Sequence, residues 1–209
     1  MNVEQSVKSY LEQLSSNSPT PGGGNVSAFC GALAASLGIM VCELTIGKKK
    51  YADVEKNMIE YKEKLSVIKE KFLQLANKDN EAFDKVMEAF KMPKETEEQK
   101  AKRNAAIQEA TLVAAKVPLT VMKNAFELLD LLREVYEKGN KNSASDAGVA
   151  VLLANAACQG AYLNVLINAA SLENKANSEN LINESNNIAR ESSQKTSDIF
   201  EKTKNGILS

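Results

Sequence analysis

The stretch Tyr51–Phe90, YADVEKNMIEYKEKLSVIKEKFLQLANKDNEAFDKVMEAF, places Val54, Met58, Tyr61, Leu65, Ile68, Phe72 and Leu75 at alternating spacings of four and three. That spacing keeps one apolar stripe on a single side for about six turns, the seam of a helix packed lengthwise on other helices. The next two seam positions hold Asp79 and Ala82, after which Val86 and Phe90 resume the stripe. A carboxylate therefore stands where an apolar group is expected, beside an alanine that leaves room. Burying an unpaired carboxylate is expensive, so Asp79 is expected to be paired, to have a raised pKa or to face a polar cavity. It either fixes helix register or meets a ligand.

Upstream lies a tight Pro/Gly loop, Ser18-Pro19-Thr20-Pro21-Gly22-Gly23-Gly24-Asn25, followed by a helix that carries one charge, Glu43, between Asn25 and Ile46. The loop prevents helix, and Asn25 or Ser27 is expected to cap the helix after it. Free N–H groups at such a helix start attract an anion or a carbonyl oxygen. The spacing is not that of a Walker loop or a Gly-x-Gly-x-x-Gly fingerprint, whose last position would fall on Ser27. The glycines serve either a binding cradle or close helix packing. The apolar helix is long enough to cross a bilayer, but its small residues and the amphipathic helices elsewhere favour the centre of a bundle.

The rest of the chain also reads as helix. Val7, Tyr10, Leu11 and Leu14, with Val3 before them, place an amphipathic helix over residues 2–15. Thr96 and Gln99 form a capping box that opens another, expected to kink or restart at Pro118 and to end at Gly139. The polar loop Gly139–Asp146 leads into a nearly uncharged helix, Ala147–Ala170, with Ser145 or Asp146 as its expected N-cap. That helix carries Asn155 and Gln159 one turn apart, and Asn164 and Asn168 likewise, and some of these amides are expected to meet a ligand. The fold class is all-α, a bundle of long antiparallel helices in one domain over residues 1–209, with 178–209 a weakly packed terminal helix.

Composition narrows the chemistry. Histidine is absent, which removes imidazole bases, histidine triads and histidine metal sites. Cys30, Cys42 and Cys158 lack the short paired spacing of a thiolate metal site and suit reduced core thiols, so the expected location is cytoplasmic. A net charge of −1 and 5% aromatic residues offer nothing to nucleic acid.

The combination of Pro21-Gly22-Gly23-Gly24, the Thr45-Ile46-Gly47-Lys48-Lys49-Lys50-Tyr51 exit, Asp79 with Ala82-Phe83, Pro93-Lys94, Pro118, the Gly139-Asn140 to Ser145-Asp146 loop and Asn164-Val165-Leu166-Ile167-Asn168 resembles the formiminotransferase-cyclodeaminase C-terminal family. The resemblance spans about Val3 to Ser171. Family members more often read Gly-Gly-Gly-Ser in the first loop, where this chain has Asn25. With no formiminotransferase domain alongside, the resemblance points to the free-standing methenyltetrahydrofolate cyclohydrolases. The alternatives are a formiminotetrahydrofolate cyclodeaminase and a non-enzymatic helical interaction module.

The resemblance implies a homodimer or higher assembly, a folate substrate, and no metal or nucleotide cofactor. Methenyltetrahydrofolate has a cationic amidinium bridge and an anionic glutamate tail. Asp79 and Asp146 are thus the expected catalytic carboxylates, with Lys49 as an alternative acid. Lys48 and Lys49 suit the tail or a carbonyl; Pro21, Gly22, Gly23 and Gly24 are likewise expected to bind substrate, the positive helix start at Gly22–Gly24 avoiding the cation. Asn140 and Ser145 would orient pterin or water, and Asn164 and Asn168 would hold Asp146 or contact the pterin edge. No membrane or nucleic-acid partner is expected.

Overall fold

The structure, a computed structural model, describes residues 5–208. Six helices follow one another: α1 (Val7–Leu14), α2 (Gly23–Glu43), α3 (Glu55–Phe90), α4 (Glu97–Lys138), α5 (Ala144–Ala170) and α6 (Lys175–Leu208). Short single turns, Lys49–Tyr51 and Lys141–Ser143, precede α3 and α5, and there is no strand among the described residues. The all-α bundle is as the periodicity of α3 dictates. Val3 of the first expected helix lies outside the described residues.

Helices α2 to α5 run up and down around one core: α2 and α4 each pack on both α3 and α5, and α6 lies in the groove of α4 and α5. The α3 seam supplies Met58, Leu65 and Phe72, all fully buried, and α4 answers with Met122, Leu128, Leu129 and Leu132. Phe90, the last expected seam residue, is instead half-exposed because the stripe runs out at the helix end. The capping box is formed, with the Thr96 hydroxyl accepting from the Gln99 N–H and the Gln99 side chain accepting from the Thr96 N–H. Helix α4 does not restart at Pro118, which lies inside it.

Small residues let α2 sit at the centre. A methyl on Gly31 would come 2.5 Å from the Phe72 ring, and one on Gly38 would come 2.8 Å from Leu132. Gly31→Ala is therefore expected to lower the unfolding free energy by about 2 kcal/mol in urea titration, since overpacking outweighs the gain in helix propensity. The reaction rate per folded molecule should stay at the wild-type value.

Helix α6 corrects the expectation of weak terminal packing. Ser178, Leu181, Ser185, Ala189, Ser192, Thr196, Ile199 and Thr203 are buried along its whole length. Its seam is built from small hydroxyl and methyl side chains, which a search for large apolar residues passes over. Asn155 and Gln159 serve the same joint: the Ser192 hydroxyl donates to Asn155 Oδ1, and Gln159 Nε2 donates to the Ala189 carbonyl at 2.8 Å.

Two helices keep an apolar face in solvent. On α2 it includes Leu33 and Met40, continued by Leu44 at the C-cap, and on α5 Val149, Leu152, Leu163 and Ile167, the last two 64% and 69% exposed. By length and composition alone, α2, α4 and the segment Lys141–Ala170 each have a stretch able to cross a bilayer.

Candidate active site

Helix α2 starts at Gly23, two residues before the expected cap, so Asn25 and Ser27 lie inside it. Its N-cap, Gly22, has no side chain to offer the free N–H groups of the first turn. Asp79 of α3 fills that role from across the bundle. A methyl on Gly24 would stand 2.6 Å from the Asp79 carboxyl carbon, so only glycine admits the carboxylate there. Burial pushes the Asp79 pKa up, and a hydrogen bond from the Asn25 backbone N–H pulls it partly back.

A cavity of about 330 Å³ opens beside this contact, lined by Gly22, Gly23, Gly24, Asp79, Phe83, Asn164 and Asn168 among others. Asn164 donates from Nδ2 to the Gly160 carbonyl at 2.9 Å, and Asn168 donates from Nδ2 to the Ala114 carbonyl at 3.0 Å. Their amide groups are thereby oriented and their Oδ1 atoms left for a ligand. Among the described residues no lysine or arginine lines the cavity. Its polar lining is dominated by acceptors around one half-buried carboxylate, with the N–H groups of the α2 start as the main donors. Glycine loop and carboxylate thus share a cavity, against the expectation that the helix start would stand apart from a cation-binding carboxylate: the Asp79 charge offsets the dipole there. Pro21 is buried next to this loop and does not line the cavity.

The remaining expected site residues gather at the other end of α2. Asn140 is a joint. Its N–H donates to Thr45 Oγ1 at 2.9 Å, its Nδ2 to the Leu44 carbonyl, and its Oδ1 accepts from the Asn142 N–H and the Tyr51 hydroxyl. With its amide bonded in this way it holds the loop between α4 and α5 against the exit of α2. Lys48 and Lys49 are exposed, and neither makes an ion pair among the described residues. The α5 N-cap is Ser143, so Ser145 and Asp146 fall within the first turn and not at the cap. Asp146 there complements the helix dipole.

Asp146 lies eighteen positions from Asn164 on the same helix, a separation of about 27 Å at 1.5 Å per residue. Within one chain, then, Asn164 and Asn168 join Asp79 and do not hold Asp146. One residue was missed as a site component, Asn25. Fully buried, it donates from Nδ2 to the Ala76 carbonyl at 2.7 Å and accepts the Tyr10 hydroxyl at 2.9 Å. Nothing in its local sequence distinguishes that role from helix capping.

The described geometry has clear counterparts among known proteins. Residues 6–187 match the family model described as formiminotransferase-cyclodeaminase. The chain belongs to the formiminotransferase-cyclodeaminase family. Within that family it is 42% identical to the methenyltetrahydrofolate cyclohydrolase of Methylorubrum extorquens, over 99% of this chain and all of that one. It is 32% identical to the mouse formimidoyltransferase-cyclodeaminase over 166 residues, which are 79% of this chain and 31% of the mouse protein. The crystal structure of formiminotetrahydrofolate cyclodeaminase from Thermotoga maritima superposes with a TM-score of 0.82 at 33% identity, covering 98% of this chain and 96% of that one.

Proposed function

We propose that this chain is a methenyltetrahydrofolate cyclohydrolase, converting 5,10-methenyltetrahydrofolate and water to 10-formyltetrahydrofolate with release of one proton. The observation that carries the reading is the acceptor-lined cavity around Asp79. A pterin presents N–H donors along its edge and the bridge is a cation, so carboxylate and amide oxygens match this half of the substrate. The N–H groups of the α2 start are placed for the pterin carbonyl. The match to a cyclohydrolase over the full length of both chains favours attack by water on the methenyl bridge over loss of ammonia from formiminotetrahydrofolate.

In this reading Asp79 faces the amidinium carbon. Water adds to that carbon as the carboxylate takes its proton, the positive charge is quenched, and a tetrahedral carbon bearing a hydroxyl results. The C–N5 bond then breaks, the hydroxyl loses its proton as the formyl carbonyl forms on N10, and N5 gains a proton. One carboxylate with a raised pKa serves both transfers, because a base and acid poised closer to neutrality exchanges protons efficiently in either direction. The chemistry calls for no cofactor.

The glutamate tail needs cations, and the described lining of the cavity supplies no lysine or arginine. Lys48 and Lys49 follow the far end of α2, and Ser145 and Asp146 open α5 after the loop that packs on that end. Because α2 and α5 are antiparallel neighbours with apolar outer faces, a second copy related by a two-fold axis normal to that face buries Leu33, Met40, Leu152 and Leu163 and brings the two ends together. The proposed enzyme is therefore a homodimer, with Asp79 from one chain and Lys48, Lys49 and Asp146 from its partner at each site. A cytoplasmic location goes with it: Cys30, Cys42 and Cys158 are unpaired thiols, and burial pushes the pKa of Cys42 up to about 12.

The function is tested by adding purified protein to methenyltetrahydrofolate and following its absorbance against the spontaneous rate. Fast conversion to 10-formyltetrahydrofolate is the expected result. Ammonia release from formiminotetrahydrofolate with no acceleration of hydrolysis would assign the cyclodeaminase instead. If the protein stayed in solution only with detergent, the apolar faces would belong to a membrane and not to a second copy.

A further inference from the structure

We propose that Asn25 is a positioning residue for Asp79, setting where that carboxylate stands in the cavity by locking the first turn of α2 to α3. The inference rests on the reading of Asp79 as the group that meets the reacting carbon. Three observations carry it. Asn25 is fully buried although it is an amide in a helix that is otherwise almost wholly apolar. Its Nδ2 reaches the carbonyl of Ala76, three residues before Asp79 and on the same side of α3. Its neighbour Gly24 is in contact with the Asp79 carboxyl group, so a sliding or rotation of α2 by a fraction of an ångström moves the surface on which that carboxylate rests.

Asn25 Oδ1 also accepts the Tyr10 hydroxyl, and Tyr10 is the buried residue of α1. This second bond offers a purely structural role, that of tying α1 to the bundle. The two roles separate by which bond is cut. Tyr10→Phe removes the bond to α1 and leaves the bond from Nδ2 to α3. Asn25→Ala removes both while leaving the backbone N–H in place. A side chain that acts through another residue changes the chemical step and not substrate capture, because the near-attack geometry is what it holds.

The experiment compares both variants with the wild-type protein by steady-state kinetics and by a carbon-13 titration of the Asp79 carboxyl resonance, at a temperature where each is folded. Among the described residues no other titratable side chain lines the cavity. Asn25→Ala is expected to lower kcat about 10-fold to 100-fold with KM within about threefold, and to shift the Asp79 titration. Tyr10→Phe should keep kcat within about twofold and leave the titration in place. If Asn25→Ala does not fold, Asn25→Leu, which keeps the volume and removes both side-chain bonds, takes its place with the same readouts. Wild-type kcat and an unmoved Asp79 titration in the folded Asn25 variant would overturn the proposal. Should the wild-type protein hydrolyse no methenyltetrahydrofolate, the functional reading fails by itself, and the titration alone still decides whether Asn25 governs Asp79.

Discussion

Asp79→Asn is expected to cut the rate of methenyltetrahydrofolate hydrolysis by about 10²-fold to 10⁴-fold while leaving Tm no lower than in the wild-type protein. The two halves of that result come from the same burial. Asparagine keeps an oxygen for the Asn25 N–H and the start of α2, so the helix retains an acceptor at its cap. It cannot take a proton from water. The folded state holds the Asp79 pKa above its ordinary value of 3.8, so it binds the proton more tightly than the unfolded chain does. The sign follows: stability from this group is fully present below the ordinary value and is lost as pH rises through the raised one. At neutral pH the ionised Asp79 is a cost, and asparagine removes it. A thermal melt of both proteins across pH should show the wild type losing ground to the variant as Asp79 ionises. The acid limb of the wild-type rate profile should lie at a higher pH than an exposed carboxylate would give. A folded variant with full hydrolytic rate would remove Asp79 from the chemistry.

Mixing two inactive proteins should restore activity. If each site takes Asp79 from one chain and Asp146 from its partner, Asp79→Asn and Asp146→Asn homodimers both have two broken sites. After dissociation and random reassociation about half the dimers are mixed, and each mixed dimer has one intact site and one doubly altered site. Activity should return to about a quarter of the wild-type value, from a starting level about 10²-fold lower. A Leu152→Glu, Leu163→Glu protein should be monomeric by light scattering and inactive, since two charges would enter the apolar face and neither residue lines the cavity. A mixture that stays inactive although its chains have demonstrably exchanged would place both carboxylates in one chain's site or remove Asp146 from it.

The bundle was legible because a four-three stripe over residues 54–75 has one physical interpretation, and the break at Asp79 stood out against it. Asn164 and Asn168 were equally visible as amides in an apolar helix, but so were Asn155 and Gln159. Periodicity tells which side of a helix a residue occupies and not what covers that side. The structure divides the four: the first pair faces the cavity and the second pair binds α6. Asn25 and Asp79 are 54 positions apart, and their meeting depends on α2 and α3 being antiparallel in one particular register. Local capping rules applied to Asn25 alone led to a cap at the wrong residue, because the acceptor for the helix start arrives from another helix. The seam of α6 was obscured for a different reason: serine and threonine pack there by donating to carbonyls, as Thr203 does to Ile199 and Ser178 to Ala169. The expected site residues were chosen by type and motif position, which carries no information on the length of helix between them. Hence one chain holds two groups about 27 Å apart, which is the ground on which a second chain is proposed at each site.

The proposed reaction is tested most directly by the decay of methenyltetrahydrofolate absorbance with the purified wild-type protein, followed by identification of the product. Decay well above the spontaneous rate, yielding 10-formyltetrahydrofolate and no ammonia, is the predicted result. Decay at the spontaneous rate with a folded protein would contradict it.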